Sequence, residues 1–297
     1  MIAEAANPLL DPWRFQAHPE VWILVSFLVG AYVYAVKVIG PQAVSVGPVV
    51  TRRNVAAFSA AMVILLLASD WPLHDLAEEY LYSMHMLQHM ALSYFVPPLA
   101  LLATPDWLFR ALVGKGRAYR VVSWFAKPVI AGVLFNVVVM VTHIPAMVNR
   151  SASNSPLHYS LHVLVVTTAL LMWMPVCGPA QELRIGYGGR MIYLFLMSVV
   201  PTVPAGWLTF AEGTVYKHYD IPIRVWGMSV ETDQQLAGAI MKLGGGIFLW
   251  TIVIYMFFRR FARGFNEEQS LVREPTLTYE DVERAFETTP PAPEPQR

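Results

Sequence analysis

The sequence predicts an all-α, polytopic membrane protein: a bundle of seven transmembrane helices with its N-terminus outside and its C-terminus in the cytoplasm. Of its 297 residues, 56% are hydrophobic and 14% are charged, with a mean hydropathy of +0.45. Soluble domains carry about a quarter charged residues. A helix needs roughly 20 apolar residues to cross a bilayer. Seven windows approach this length: 21–36, 54–69, 80–103, 128–147, 157–176, 191–210 and 236–258.

Lysine and arginine predict the orientation, because cytoplasmic loops carry an excess of both. Most of them follow the first, third and fifth windows or lie after the seventh, and Lys242 lies within the seventh. The opposite side has only four: Arg14, Arg150, Lys217 and Arg224. The first 20 residues lack a basic segment followed by an apolar run, so we expect the first span to be retained rather than cleaved as a signal peptide.

Three regions follow from this pattern. We predict an extracytoplasmic N-terminal segment (1–20), a seven-helix membrane domain (21–260) and a cytoplasmic, largely disordered tail (261–297). The tail ends in a Pro-rich polar run, which favours disorder. Within it, residues 278–287 predict a short amphipathic helix, with Thr278 and Asp281 as a capping box.

Composition also excludes several classes of protein. The single cysteine, Cys177, excludes an intramolecular disulfide and a thiolate cluster. The formal net charge is zero, so the chain gives no reason to expect nucleic acid as a partner. The lipid bilayer is the partner that composition predicts.

Five of the eight histidines fall in the outer half of the predicted membrane domain. His85/His89 and His158/His162 are spaced i,i+4, so each pair points one way from its helix. His143 lies near the outer end of the fourth window. Ionisable residues inside a membrane are costly and usually functional. Imidazoles from three successive helices can hold a metal ion together, so we predict these five as metal ligands.

Copper is the metal that the residue types favour. Met86 and Met90 lie beside the histidine stripe of the third window, and thioether sulfur with imidazole suits copper(I) better than zinc or magnesium. The acidic stretch 70–80 would concentrate cations. Asp233 could cap the helix that it opens, or accept a hydrogen bond from a ligand histidine. The accessory candidates are Met86, Met90, Asp233 and His74.

Several other chemistries fit less well. The segment "HMLQH" has Met86 where a zinc protease of the H-E-x-x-H type needs its glutamate, and di-iron oxygenases need more ligands. Two alternatives stay open. His89 and His162, or His143 in place of either, could clamp a haem in an electron carrier. A copper transporter would need a polar path inward, where residues 91–103 offer only Ser93 and Tyr94. Metal binding without catalysis fits best, so we expect no enzyme activity.

Four motifs, "LYSMHMLQHM", "THIPAMVN", "HYSLH" and "DQQLAGAIMKLGGG", follow in this order on these spans. In them the chain resembles the multi-span CtaG-type cytochrome c oxidase assembly factors, over residues 21–258. In "HYSLH", Leu161 stands where that family often has an acid, and Thr142 stands where tryptophan commonly precedes the histidine.

The resemblance implies a multi-pass copper chaperone of the bacterial plasma membrane. It would supply copper to, or mature, a haem–copper cytochrome c oxidase. Its implied partners are the oxidase subunits and an extracytoplasmic copper donor. The metal-handling positions that it implies are His85, His89, His143, His158 and His162, with Asp233 beside them.

Overall fold

The computed structural model describes residues 11–273 and 278–288, with side chains for 11–263 and 278–288. Within these ranges the chain is helical and has no strand, as the sequence predicts. We number the helices in chain order: α1 (Pro19–Ala43), α2 (Arg52–Ser69), α3 (73–80), α4 (Tyr82–Ala103), α5 (Asp106–Val113), α6 (Arg117–Phe125), α7 (Pro128–Thr142), α8 (Pro145–Ala152), α9 (Ser155–Cys177), α10 (Tyr187–Val199), α11 (Thr202–Thr209), α12 (230–273) and α13 (Tyr279–Thr288).

Six helical segments among the described residues are long and apolar enough to cross a membrane. They are α1, α2, α4, α9, the α10–α11 segment Tyr187–Thr209, and Val230–Arg263 of α12. Helices α6 and α7 meet the same criterion only together, and they are bent by 70° where they join. The bend lies before Pro128, because proline disfavours the helical conformation in the preceding residue, and Lys127 is extended.

Proline also explains where two predicted windows differ from the helices. The fourth window runs to residue 147, but α7 ends at Thr142, since Ile144 precedes Pro145 and is extended. His143 therefore caps the end of α7 rather than lying within a span. The sixth window is interrupted at Pro201, between α10 and α11.

Helix α4 lies at the centre of the bundle. It packs against α2, α9 and α12, and 61% of its most apolar window is buried, against 11% for α1 and for α2. Gln88 of α4 is fully buried and donates from Nε2 to the Ala68 carbonyl at the end of α2, at 2.9 Å. The two histidines of α4 thus stand on the most enclosed helix of the described chain.

Several helices contain a π-helical turn, in which each hydrogen bond spans one residue more than in an α-helix. Such turns occupy Ala35–Ile39 in α1, Leu76–Tyr80 in α3, Ala91–Phe95 in α4 and Ile240–Gly244 in α12. π-turns are frequent at functional sites. The turn in α4 begins directly after Met90, and the turn in α3 carries Glu78.

The chain divides into two compact units, Met1–Val253 and Ile254–Arg297. The second unit holds the end of α12, whose backbone continues to Arg273, and α13. The predicted helix at 278–287 is confirmed as α13, and Thr278 Oγ donates to Asp281 Oδ2 at 2.6 Å. Residues 274–277 and 289–297 of the predicted tail lie outside the described residues, so its disorder stays a prediction.

Candidate metal centre

The start of α4 is fixed by a carboxylate from α12. Asp233 is buried and accepts hydrogen bonds from the backbone N–H groups of Tyr82, at 2.7 Å, and Ser83, at 3.0 Å. The Ser83 hydroxyl donates to the same carboxylate. These bonds satisfy N–H groups that the first turn of a helix leaves unpaired. They hold the turn directly before His85.

Asp233 therefore serves α4 rather than its own helix. Ser229 caps α12, since its Oγ accepts from Thr232 N at 3.1 Å. The hydrogen bonds of Asp233 go to Tyr82 and Ser83, and none in the described chain joins it to a histidine. Its link to the candidate site runs through the position of α4.

The other three histidines are held at helix ends. Asn154 Oδ1 accepts from the backbone N–H of Leu157 at 3.0 Å and so caps α9 one turn before His158. His143 follows the last residue of α7. Its Nδ1 lies 2.6 Å from the carbonyl of Val139, and its own carbonyl accepts from the Tyr216 hydroxyl at 3.0 Å.

These positions bring all five predicted histidines together. Their ring centroids lie 4.4 Å apart for His158 and His162, 4.5 Å for His85 and His89, and 5.0 Å for His89 and His162. His143 joins the cluster through His89, at 6.2 Å. The nitrogens of His85, His89 and His162 lie within 4.8 Å of one another, a separation at which they could hold one ion. We call these five residues the histidine cluster.

Glu78 completes the histidine cluster from α3. Its Oε1 lies 3.1 Å from His158 Nε2, 3.2 Å from His85 Nδ1 and 3.9 Å from His162 Nε2. With His158 and His162 it forms a second group of ligand atoms within 4.8 Å. Burial by itself raises the pKa of Glu78, but the neighbouring His85 and His158 outweigh it and keep that pKa well below its usual range. Glu78 is therefore a carboxylate.

The position of Glu78 is fixed by the segment that precedes α12. His218 Nε2 lies 3.0 Å from the carbonyl of Glu78, and the Tyr219 hydroxyl donates to the carbonyl of Ala77 at 2.9 Å. These contacts hold the π-turn of α3 against the cluster. The segment "HYSLH" has Leu161 where an acid could stand beside the histidine pair. Glu78 of α3 supplies that carboxylate from elsewhere in the chain.

Two imidazole nitrogens in the cluster, Nε2 of His143 and Nε2 of His162, are buried and find no hydrogen-bond partner in the part of the chain that the structure describes. Buried polar atoms are almost always paired, so an unpaired nitrogen is a candidate ligand atom. In His143, the contact of Nδ1 with Val139 O favours the tautomer that keeps the Nε2 lone pair free. The adjoining cavity has room of about 20 Å³, which suits one water molecule or one metal ion.

Of the accessory candidates, Asp233 supports α4. Neither Met86 nor Met90 is among the residues lining this cavity, and the terminal methyl of Met90 faces Gly245 of α12. His74 packs instead on His18, with ring centroids 4.5 Å apart. The cluster that the structure describes therefore offers imidazole and carboxylate donors.

Sequence reasoning assigned Glu78 only to an acidic stretch and not to the ligand set. Glu78 precedes His85 by seven residues, close to two helical turns, but α3 ends at Tyr80 and α4 begins at Tyr82. No helical periodicity connects the two residues across that break. The available signal was the lone acidic segment leading directly into the histidine helix.

Comparison with known proteins bears on the whole helical region rather than on single residues. A comparison with curated proteins gave no match, and a comparison with solved structures gave none either. A family model, described as cytochrome c oxidase caa3 assembly factor, matches residues 30–263. The match covers most of the chain, including every residue of the histidine cluster and Glu78. The chain therefore belongs to the cytochrome c oxidase caa3 assembly factor family.

Proposed function

We propose that the protein binds copper at the histidine cluster and delivers it to, or helps mature, a haem–copper cytochrome c oxidase. The observation that carries the proposal is the convergence of five imidazoles from α4, α7 and α9, two of them with a buried and unpartnered Nε2. The oxidase is the proposed partner because the chain belongs to a family of cytochrome c oxidase assembly factors. The role is that of a chaperone, not an enzyme.

Copper as the cargo rests on the donors and on the family. Imidazole is a ligand that suits copper. The position of Met90 gives no support for copper(I), because its side chain faces Gly245 rather than the histidine cluster. Copper(I) remains the proposed state, and imidazole is its donor.

Two overlapping ligand groups support a carrier rather than a permanent site. His85, His89 and His162 form one group, and Glu78, His158 and His162 form the other, so His162 belongs to both. An ion bound by one group can exchange ligands one at a time into the other. A closed structural site, by contrast, saturates the ion with four fixed ligands and would release its cargo slowly.

We also propose the membrane orientation that the charges predict, in the bacterial plasma membrane. The bent pair α6–α7 would act as one span, giving seven in all, with the N-terminus outside. The histidine cluster and Glu78 would then lie near the extracytoplasmic surface. An extracytoplasmic copper donor could reach them there, and the oxidase could accept copper at a similar depth.

The alternatives have no structural observation in their favour. A haem macrocycle needs far more room than the cavity of about 20 Å³ beside the cluster. A transport path would have to pass His89, where Met90 and Tyr94 of α4 pack against Gly245. An absorption spectrum of the purified protein separates these functions, because only a haem protein shows a Soret band.

The decisive variant is the double substitution His85→Ala/His89→Ala. We expect it to lose bound copper, measured by mass spectrometry of the purified protein, and to lower oxidase activity in cells that depend on it. The matched control is Leu87→Ala, which changes an exposed side chain between the two histidines. Wild-type copper content together with wild-type oxidase activity in the double variant would refute the proposal.

A further inference from the structure

Outside the histidine cluster, two more histidines meet a buried carboxylate. His18 lies just before α1, and His74 and Asp75 lie on α3. The ligand atoms of the three residues all lie within 4.8 Å of one another. His18 Nε2 lies 2.6 Å and His74 Nδ1 lies 3.4 Å from the same oxygen, Asp75 Oδ1. The chain thus brings together residues 57 positions apart in sequence.

The carboxylate of Asp75 is the unusual member of this group. Asp75 is only 3% exposed, and its second oxygen, Oδ2, has no hydrogen-bond partner among the described residues. Burying an incompletely paired carboxylate costs free energy unless a cation or a hydrogen bond compensates it. A metal ion bound by Asp75 and the two imidazoles would provide that compensation.

His18 is oriented as metal-binding histidines usually are. Its Nδ1 lies 3.3 Å from Glu20 Oε1, on the side of the ring opposite the Nε2 that faces Asp75. Ligand histidines commonly donate their other ring N–H to a carboxylate, which fixes the tautomer and orients the ring. Glu20 can perform this role while Nε2 carries the lone pair.

We propose that His18, His74 and Asp75 form a second metal site, which binds a divalent transition-metal ion such as Zn²⁺ or Cu²⁺. Two imidazoles and one carboxylate are the protein ligands of several zinc enzymes. Imidazole nitrogen with a carboxylate oxygen is a donor set that suits divalent zinc and copper. A bound ion ties the start of α1 to α3. The site stands apart from the proposed copper delivery and does not depend on it.

Zinc stoichiometry tests the proposal on the purified full-length chain. The protein is equilibrated with Zn²⁺ alone, and bound zinc is counted by mass spectrometry in wild type, His18→Ala, Asp75→Asn and His85→Ala/His89→Ala. We expect the first two variants to lose a zinc ion that the double variant retains. The matched control is Glu79→Gln, a neighbouring acid that accepts from Gln16 Nε2 instead.

Two results would overturn the second site. One is a zinc content in His18→Ala and Asp75→Asn equal to that of wild type, which would leave an ordinary hydrogen-bonded pair. The other is the absence of bound zinc from the His85→Ala/His89→Ala protein, whose second site is intact.

A milder variant tests the site even if His18→Ala and Asp75→Asn misfold. Glu20→Gln leaves all three ligands in place, and loss of the orienting carboxylate should weaken zinc binding at this site by about 10–100-fold. X-ray absorption of zinc in the His85→Ala/His89→Ala protein should show imidazole and oxygen ligands. If that protein is folded, a spectrum with no imidazole scattering would count against the site even if His18→Ala and Asp75→Asn misfold.

Discussion

Among single residues, Glu78 joins the histidine cluster through one oxygen, which faces His85, His158 and His162. Glu78→Gln keeps the size of the side chain and removes its charge. We expect copper affinity to fall by about 10–100-fold, as for other groups that orient or assist metal ligands. Competition titration with a copper(I) chelator measures this change.

Glu79→Gln is the matched control for that substitution. Glu79 is the next residue of the same π-turn, and it accepts a hydrogen bond from Gln16 at 3.1 Å instead of facing the cluster. Its copper affinity should stay close to that of wild type. Equal affinities in the Glu78 and Glu79 variants would remove Glu78 from the proposed site.

The same residues mark what the sequence could predict about the site. The i,i+4 spacing of His85 with His89 and of His158 with His162 needs only helical geometry, so both pairs were predictable. Glu78 was not, because its contact with His158 joins α3 to α9 and depends on tertiary packing. The spacing of Met90 also looked favourable, but spacing does not reveal that the neighbouring face is taken by Gly245.

At the scale of helices, the cap that α12 provides to α4 connects the packing to the site. Asp233→Asn leaves one acceptor oxygen where the carboxylate has two, so the backbone N–H of Tyr82 or Ser83 loses its partner. A buried group left unpaired costs about 1–3 kcal/mol. We expect a lower midpoint of thermal unfolding in detergent and weaker copper binding. Glu231→Gln, an exposed acid in the first turn of α12, should change neither.

Helix α12 also approaches α11 closely at Gly238. A Cβ placed there would lie 2.7 Å from the carbonyl oxygen of Ala205 and 2.7 Å from the backbone nitrogen of Thr209. Backbone atoms cannot rotate away, so Gly238→Ala must separate the helices at a cost of about 1–3 kcal/mol. Thermal unfolding in detergent measures the loss. The control Gly246→Ala meets nothing within 4 Å and should unfold like wild type.

Hydropathy predicted the apolar segments better than their ends. Each of the seven windows overlaps one helix or a pair of consecutive helices, because the length of an apolar run is a local property. The ends at Thr142 and at Pro201, and the 70° bend before Pro128, follow from proline geometry instead. The prolines are visible in the sequence, but averaging hydropathy over a window conceals their effect.

For the whole molecule, the proposed orientation and span number make a labelling prediction. In a Cys177→Ser background, single cysteines replace Lys217, Ser153 and Lys115. A membrane-impermeant maleimide should label the first two in intact cells and the third only after lysis. Ser153 would lie between the outer end of α7 and the outer start of α9, and Lys217 would lie between α11 and α12 on the same side. Lys115 would lie inside with most of the basic residues.

Labelling at position 153 tests whether the bent pair α6–α7 crosses the membrane as one span. Ser153 lies between α8 and α9, and Lys115 lies between α5 and α6. If α6 and α7 do not cross together, both positions fall on one side and label alike, and the seven-span topology is wrong. Labelling of Lys115→Cys alone in intact cells would instead reverse the orientation. The charge pattern predicts these sides from the sequence.

The π-turn at Ala91–Phe95 determines which changes in length α4 can tolerate. It accommodates one residue more than an α-helical turn would, so the helix on either side of it faces nearly as it would in an uninterrupted α-helix. Deleting one residue from the turn should therefore restore regular winding and leave the surface from Val96 to Ala103 packed on α2 and α9. Inserting a further residue would instead rotate that surface by about 100° relative to His85 and His89, so related chains should lose this extra residue more readily than they gain another.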